Sequence, residues 1–267
     1  MPADRRVAHS PVIQGGVLRL TVSRPADGCA LWHEAVPEFT RSVVAAGRDR
    51  TAGAVLLVGG GPNFCTGGNL KIFAAAEDPG SVVGGFAREF HDFVKALVYG
   101  PLPVVAAVRG WAAGAGLSLV CAADLAIVGP GARLRAAYPS IGYSSDGGLS
   151  WTLPRIVGTA KARNLLLTDR ILTGQEAVHE GLAARIVADE EVECAASELS
   201  RNLAEGPTGC QARIKGLMAS SPGCDLAEQL RLEETAVAAC AESPEGREGV
   251  AAFVQRRAPD FPGARTP

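Results

Sequence analysis

Five short apolar runs, separated by stretches of helical periodicity, most constrain how this chain of 267 residues can fold. Each run is rich in Val, Ile or Leu and is bounded by Gly, Pro or Asp, which is typical of a β-strand. The predicted strands cover residues 16–22, 52–60, 102–108, 124–129 and 183–187. The second, third and fourth are apolar almost throughout, which indicates strands that are covered on both faces. The pattern predicts an α/β fold.

Helical patterns occupy the segments between these strands, and the clearest cover about residues 34–47, 81–99 and 116–122. In the second of them, large apolar residues recur at three- and four-residue steps, as in a helix with one buried face. From about residue 190 onward the pattern is helical only. The sequence therefore predicts an α/β part over residues 1–190 and a helical C-terminal region over residues 191–267.

Charge and cysteine content exclude several classes of partner. The formal net charge is −2 and the basic residues are scattered, so nothing indicates a nucleic-acid-binding surface. Seven cysteines without a C-x-x-C pair indicate reduced thiols, and neither a disulfide framework nor a zinc site. No apolar stretch approaches the ~18 residues of a membrane span, and "MPADRRVAHSP" leads into no long apolar run. We predict a cytoplasmic protein without a signal peptide, a metal site, or a nucleic-acid or membrane partner.

A loop poor in side chains, "RGWAAGAGLSL" (109–119), directly follows the third predicted strand. It is not a dinucleotide-binding fingerprint, because Gly114 and Gly116 are not followed by the third glycine, and it lacks the G-K-[ST] of a phosphate loop. What remains is a join that exposes backbone N–H groups at a helix N-terminus, where the dipole favours negative charge. A second such join, "VLLVGGGPNFCTGGNLK", follows the preceding strand. Two N–H donors that converge on one point would form an oxyanion hole.

Four segments resemble the successive signatures of the crotonase (enoyl-CoA hydratase/isomerase) superfamily. They are "GGGPNFCTGGNLKIF", "PVVAAVRGWAAGAGLSLVCAADLAIV", "IGYSSDGGLSWTLPRIVG" and "LTGQEAVHEGLAARIV". The resemblance covers about residues 12–190. It implies a crotonase-type spiral of repeated ββα units, with a helical C-terminal region used to form a homotrimer or a dimer of trimers. It also implies an acyl-CoA thioester substrate and no cofactor apart from the coenzyme A that the substrate carries.

The resemblance further implies where the thioester carbonyl is held. The two N–H donors would be those of Gly68 and Ala115. The family usually has Gly at the second position, and Ala115 offers the same N–H. The resemblance also implies that Gly67, Lys71, Gly114 and Tyr138 bind the substrate. Lys71 would lie near the phosphates of coenzyme A.

The residues available for catalysis favour isomerisation over hydration. Hydratases of this superfamily resemble one another in a pair of glutamates, and Ser118 and Tyr138 occupy those places here. A serine and a tyrosine do not supply the base and acid that hydration needs near neutral pH. Asp146 could be a turn residue before two glycines. However, some dienoyl-CoA and ring-type enoyl-CoA isomerases resemble this chain in a catalytic Asp at this place. We expect Asp146 to act as both base and acid, with a pKa raised by burial.

Three alternatives stay open at this point. Asp146 with His91 on the helix at 81–99 also resembles 4-chlorobenzoyl-CoA dehalogenase, in which an Asp attacks the substrate and a His activates water. Enoyl-CoA hydratase activity is the second alternative, and a non-catalytic acyl-CoA-binding protein is the third. His9, His33 and His179 have no partner pattern, and Cys65 is expected to be a small apolar filler.

Overall fold

A computed structural model describes residues 11–265 of the chain. Its strands are β1 Val12–Gln14, β2 Val17–Thr21, β3 Ser23–Arg24, β4 Ala30–Leu31, β5 Ala54–Val58, β6 Val104–Val108, β7 Trp111–Ala113, β8 Leu125–Val128, β9 Arg133–Arg135, β10 Leu172–Thr173 and β11 Arg185–Ile186. Its helices are α1 Val36–Asp49, α2 Leu70–Ala74, α3 Pro79–Tyr99, α4 Ala115–Ala122, α5 Leu149–Val157, α6 Thr159–Thr168, α7 Gly174–His179, α8 Val192–Glu205, α9 Thr208–Ser220, α10 Leu226–Glu242, α11 Pro244–Gln255 and α12 Phe261–Arg265.

The central sheet has six strands in the order β1-β2-β5-β6-β8-β11. All neighbours in it run parallel except β1 and β2, which form an antiparallel pair. All five predicted strands lie in this sheet, each shorter than predicted because the flanking Gly, Pro and Asp residues turn the chain away. The three predicted helices correspond to α1, α3 and α4, with ends shifted by one or two residues.

Both faces of the sheet are buried, which explains the continuous apolar character of its strands. Leu57 and Ala106 point into the larger core, beneath helices α1, α3 and α4. Leu56 and Val105, one residue earlier on the same strands, point into a second core that α8 covers with Val192, Ala196 and Ala204. Each strand therefore separates two apolar layers.

A second, three-stranded sheet in the order β10-β9-β7 lies beside the first and was not predicted. Trp111–Ala113 forms its strand β7. The composition of this Gly- and Ala-rich segment predicts a loop, and this part of it is instead a strand. Strands of two or three residues are too short to show a period of two, and they exist because neighbouring backbone groups pair with them.

The chain beyond residue 190 is helical as far as the structure describes it. The division of the chain at residue 190 stays a prediction. Helix α8, which begins directly after this position, packs on the central sheet. Helix α9 is fixed by the buried side chain of Lys215, whose Nζ donates to Leu97 O (2.7 Å), Leu102 O (2.8 Å) and Asp124 Oδ2 (2.6 Å).

The expectations about a signal peptide and about His9 concern residues 1–10, outside the described part of the chain. Among residues 11–265, no helix combines the length and the apolar character that a membrane crossing requires.

Candidate active site

The first of the two predicted loops runs from the end of β5 to Gly68 and is held by backbone hydrogen bonds. Gly67 has φ +101°, and a Cβ on it would lie 3.2 Å from Ala113 O, so a glycine is needed here. Its carbonyl oxygen accepts the N–H of Leu31 at 2.7 Å. The backbone that leads into Gly68 is therefore fixed by Gly67.

The second loop joins β7 to α4 and is tied directly to the first. Cys65 N–H donates to Trp111 O (3.0 Å), and Ala113 N–H donates to Cys65 O (2.9 Å). Gly114 turns the chain into α4 with φ +54° and ψ −120°, a conformation that is essentially restricted to glycine. The two loops thus form one backbone unit.

The backbone N–H groups of Gly68 and Ala115 both belong to residues that line the same cavity. Neither N–H donates to an acceptor within residues 11–265. Ala115 is the first residue of α4, where the helix dipole adds positive potential. Two unpaired donors on neighbouring loops are what an oxyanion hole requires, and this assignment stays a prediction.

The cavity has a volume of about 940 Å³ and a mostly apolar wall. Its aromatic lining residues are Phe73, Phe86, Phe90, Tyr138 and Tyr143. The exposed residue Lys71 also lines it. Seven of the eight residues singled out from the sequence therefore surround one cavity: Gly67, Gly68, Lys71, Gly114, Ala115, Tyr138 and Asp146.

Two carboxylates line the cavity, and they differ in their partners. Asp27 pairs with Arg24, whose Nε lies 2.6 Å from Asp27 Oδ2. Asp146 forms no ion pair within the described residues, and its Oδ1 accepts the hydroxyl of Tyr138 at 3.2 Å. Burial raises the pKa of Asp146 above its usual value, and His91 and the Tyr138 hydroxyl partly offset this rise. A raised pKa makes the ionised carboxylate a stronger base, which suits a group that takes up a proton and returns it.

Tyr138 is positioned by the residue before it. Ala137 has φ +64°, an unfavourable conformation for a residue with a side chain. Its N–H donates to Asp169 Oδ1 at 2.6 Å, and Asp169 also pairs with Arg135. Burial raises the pKa of Tyr138 and keeps its hydroxyl protonated, so that it donates to Asp146.

Ser118 is 0% exposed and lies beneath the turn that carries Asp146. Its Oγ lies 3.1 Å from Asp146 O, 3.3 Å from Gly114 O and 3.3 Å from the Tyr138 hydroxyl. With a single hydroxyl hydrogen, Ser118 connects the turn to the second loop. Its position indicates a structural role.

His91 is the one residue predicted for the site that does not line the cavity. It lies behind the Asp146 turn, where its Nε2 accepts the N–H of Gly147 at 3.2 Å. Gly147 has φ +59°, and a Cβ there would clash with Phe90 and lie 2.8 Å from Ser118 Cβ. His91 thus holds the turn, and its Nε2 lone pair is not available to activate water.

Cys65 is fully buried, and burial raises its pKa to about 12, as expected of an inert filler. His33, for which the sequence shows no partner pattern, lines the cavity. Its ring stacks on Phe86 with centroids 3.4 Å apart. The segment "CALWHEA" does not predict that His33 lines a cavity, because the residues that contact its ring are more than fifty positions away in the sequence.

Solved structures first establish the class of protein. A crystal structure described as an enoyl-CoA hydratase from Polaromonas sp. JS666 superposes with a TM-score of 0.88 at 30% identity, over 94% of this chain and 98% of that one. This similarity confirms the predicted crotonase fold with its helical C-terminal region.

The family follows from the sequence comparisons. Residues 12–264 match the family model described as Enoyl-CoA hydratase/isomerase, and the chain belongs to this family of acyl-CoA enzymes. The 1,2-epoxyphenylacetyl-CoA isomerase of Escherichia coli is 33% identical, over 94% of this chain and 97% of that protein. The mitochondrial methylglutaconyl-CoA hydratase of Mus musculus is 28% identical, over 97% of this chain and 84% of that protein.

Proposed function

We propose that this protein is an enoyl-CoA isomerase in which Asp146 moves a proton along the acyl chain. The observation that carries the proposal is the carboxyl group of Asp146, which lacks an ion-pair partner among residues 11–265 and shares one cavity with the N–H groups of Gly68 and Ala115. One carboxylate suffices for isomerisation, because the same group removes and returns the proton.

The reaction follows from these positions. The thioester carbonyl oxygen accepts hydrogen bonds from the Gly68 and Ala115 N–H groups, which stabilise negative charge on it. Asp146 removes a proton from the carbon α or γ to the thioester, and the electron pair forms an enolate. Asp146 then returns the proton to the other carbon, the double bond moves, and the enzyme ends unchanged.

Neighbouring residues assist without taking part in the proton transfer. The Tyr138 hydroxyl occupies Oδ1 of Asp146, which leaves Oδ2 for the substrate. Gly67 and Gly114 let the thioester approach the backbone closely. Lys71, exposed at the cavity, would contact the phosphates of coenzyme A.

Hydration is the second candidate, because the Mus musculus relative that this chain matches over 84% of that protein's length is named a hydratase. Ser118 and Tyr138 argue against it, since they place no second carboxylate beside Asp146. The hydrolytic alternative is disfavoured by His91, whose Nε2 is occupied by the Gly147 N–H.

The test uses 3-enoyl-CoA and crotonyl-CoA thioesters in D₂O. We expect 3-enoyl-CoA to be converted to the conjugated 2-enoyl-CoA, with deuterium exchange at the α or γ carbon. Addition of water to crotonyl-CoA at a greater rate would instead establish a hydratase. Binding of a non-reactive acyl-CoA without turnover of any thioester would leave only the non-catalytic binding function.

We also propose that the C-terminal helices join copies of the chain into a homotrimer or a dimer of trimers. Val250, Phe253 and Val254 share one face of α11, and Phe253 is 85% exposed. Exposed apolar faces of this kind mark interaction surfaces. Light scattering should give three or six times 27.5 kDa, and Phe253→Glu should lower that mass.

A further inference from the structure

His33 is a second polar group in the cavity wall, apart from the Asp146 turn. It lies in a short 3₁₀ turn, His33–Ala35, directly before α1. One face of its ring stacks on Phe86 of α3, and its Nε2 lies 3.2 Å from Glu89 Oε2 on the same helix. The proposed mechanism gives these groups no role.

The environment of the two ring nitrogens determines what His33 can bind. Nε2 is fully buried on the Glu89 side, and its contact with the carboxylate is not aligned as a hydrogen bond. The negative charge of Glu89 nevertheless favours the tautomer with the proton on Nε2. Nδ1, the other nitrogen, is then a lone-pair acceptor that forms no hydrogen bond with the described residues and is not among their buried unpaired atoms. Because His33 lines the cavity while its Nε2 is buried, we infer that Nδ1 is the nitrogen open to the cavity. A ligand that satisfies it must donate a hydrogen bond.

The fold places His33 close to Asp146 along helix α3, and in the proposed function this is the acyl side of the site. Phe86 contacts His33, and Phe90, one helical turn further along α3, lies against Gly147 beside Asp146. A helical turn advances about 5.4 Å. His33 and Asp146 therefore face the cavity from neighbouring positions along one helix face, and the carbons on which Asp146 acts belong to the acyl chain.

We propose that His33 selects acyl groups that carry a hydroxyl group remote from the thioester, which donates a hydrogen bond to His33 Nδ1. The aromatic wall binds the hydrocarbon part, and Glu89 acts as a positioning residue through Nε2. This inference rests on the proposed acyl-CoA function of the cavity.

The combined charge of His33 and Glu89 disfavours binding of an anionic acyl group. Burial lowers the pKa of His33, more than the nearby carboxylates raise it, so the ring is neutral near pH 7. The Glu89 carboxylate repels a second carboxylate, and the neutral imidazole carries no positive charge to offset this repulsion. The imidazole can accept a hydrogen bond from a neutral hydroxyl group. A dicarboxylic acyl group is therefore a poor ligand for this wall.

The test measures binding, so it does not depend on turnover. Calorimetry compares hexanoyl-, octanoyl- and decanoyl-CoA, each with and without a hydroxyl group on its last carbon, with the full-length protein and its variants. We expect at least one hydroxylated thioester to be favoured over its plain partner. His33→Phe, which keeps the stacked ring, should reduce that preference by about threefold to tenfold, the worth of one neutral hydrogen bond.

Two further variants keep the test decisive. Glu89→Gln should reduce the preference in the same direction, and it serves if His33→Phe does not fold. Glu38→Gln is the matched control, because Glu38 is exposed near the start of α1, does not line the cavity and is not among the charges that shift the pKa of His33. It should leave the preference unchanged.

Each other outcome overturns a defined statement. An equal loss of affinity for hydroxylated and plain thioesters in His33→Phe would mean that His33 contacts the coenzyme A arm, and the inference would be wrong. Equal binding of both kinds by the unaltered protein would also refute it, while acyl-CoA binding would stand. If no thioester binds at millimolar concentration, the proposed function itself fails, and the inference with it.

Discussion

The cavity has two halves that are built in different ways. On one side, Gly68 and Ala115 offer backbone N–H groups, held by hydrogen bonds between Cys65 and the segment at β7. On the other side, Asp146 depends on side chains: Tyr138 contacts its carboxylate, and His91 holds its turn. The backbone half depends on main-chain geometry and on the glycines at positions 67 and 114 that permit it. In the proposed mechanism the side-chain half supplies the acid–base group, so a single substitution there should change the chemistry.

The largest expected effect tests the side-chain half. Asp146→Asn cannot accept a proton, so turnover should fall by ~10²–10⁴, the usual contribution of acid–base catalysis. Binding of a non-reactive acyl-CoA, measured by calorimetry, should remain, because the backbone donors are untouched. Asp92→Asn, an exposed neighbour on α3, is the control and should keep full turnover. Full turnover in Asp146→Asn would remove Asp146 from the mechanism.

The same residue separates proton transfer from nucleophilic attack. If Asp146 formed an ester that water cleaves, one turnover in H₂¹⁸O would leave label in its carboxylate. His91→Ala would then accumulate the acylated enzyme. We expect exchange with solvent protons and no label, since His91 supports the turn and does not face the cavity. Mass spectrometry of the Asp146 peptide gives the answer.

The next effect tests the backbone half. Gly67→Ala places a Cβ about 3.2 Å from Ala113 O at a φ of +101°, which should shift the neighbouring Gly68 N–H. Loss of one oxyanion donor costs ~10²–10³ in turnover. Gly181→Ala is matched, because Gly181 also has a positive φ, +78°, but no atom within 4 Å of an added Cβ. Similar losses in the two variants would attribute the effect to backbone strain alone.

A smaller effect distinguishes the carboxylate from its hydrogen-bond donor. Removal of the hydroxyl in Tyr138→Phe should raise the pKa of Asp146 further, since that hydrogen bond lowers it. In the proposed mechanism the ionised form of Asp146 is the base, so the activity lost as the pH falls should be lost at a higher pH than in the unaltered protein. We expect a loss of about tenfold or less near neutral pH, and recovery as the pH rises. A pH–rate profile that does not move would exclude a role for this hydrogen bond.

The smallest expected effect concerns Ser118. Ser118→Ala removes the hydroxyl beneath the Asp146 turn, and turnover should stay within about threefold while unfolding free energy falls by about 1 kcal/mol. Denaturant unfolding and steady-state kinetics measure the two separately. A loss of turnover as large as that of Asp146→Asn would make Ser118 part of the acid–base chemistry.

The two halves also differ in how far the sequence predicts them. The loops at Gly68 and Ala115 follow strands with a strong apolar signal, so the two loops could be found from sequence, whereas the choice of Gly68 and Ala115 as donors followed from resemblance and stays a prediction. The position of Asp146 followed from resemblance. The roles of His91 and His33 depend on one hydrogen bond to Gly147 and one ring contact with Phe86. Such contacts join residues far apart in the chain, and no local periodicity encodes them. The three-residue strand β7 was missed for the same reason.

The contacts of Lys215 affect the order in which parts of the fold can form while the chain is being synthesised. Its ammonium group is the donor for Leu97 O, Leu102 O and the Asp124 carboxylate, which lie 91 to 118 residues earlier. A nascent chain that ends at α8 contains the described residues that line the cavity. It lacks the cation that pairs with these acceptors near the start of β6. Because unpaired buried acceptors are costly, we expect the carbonyl groups of Leu97 and Leu102 to become fully paired only after the synthesis of α9. A truncation after residue 205 would therefore retain the residues that line the cavity and lose the cation that pairs with Leu97 O, Leu102 O and Asp124.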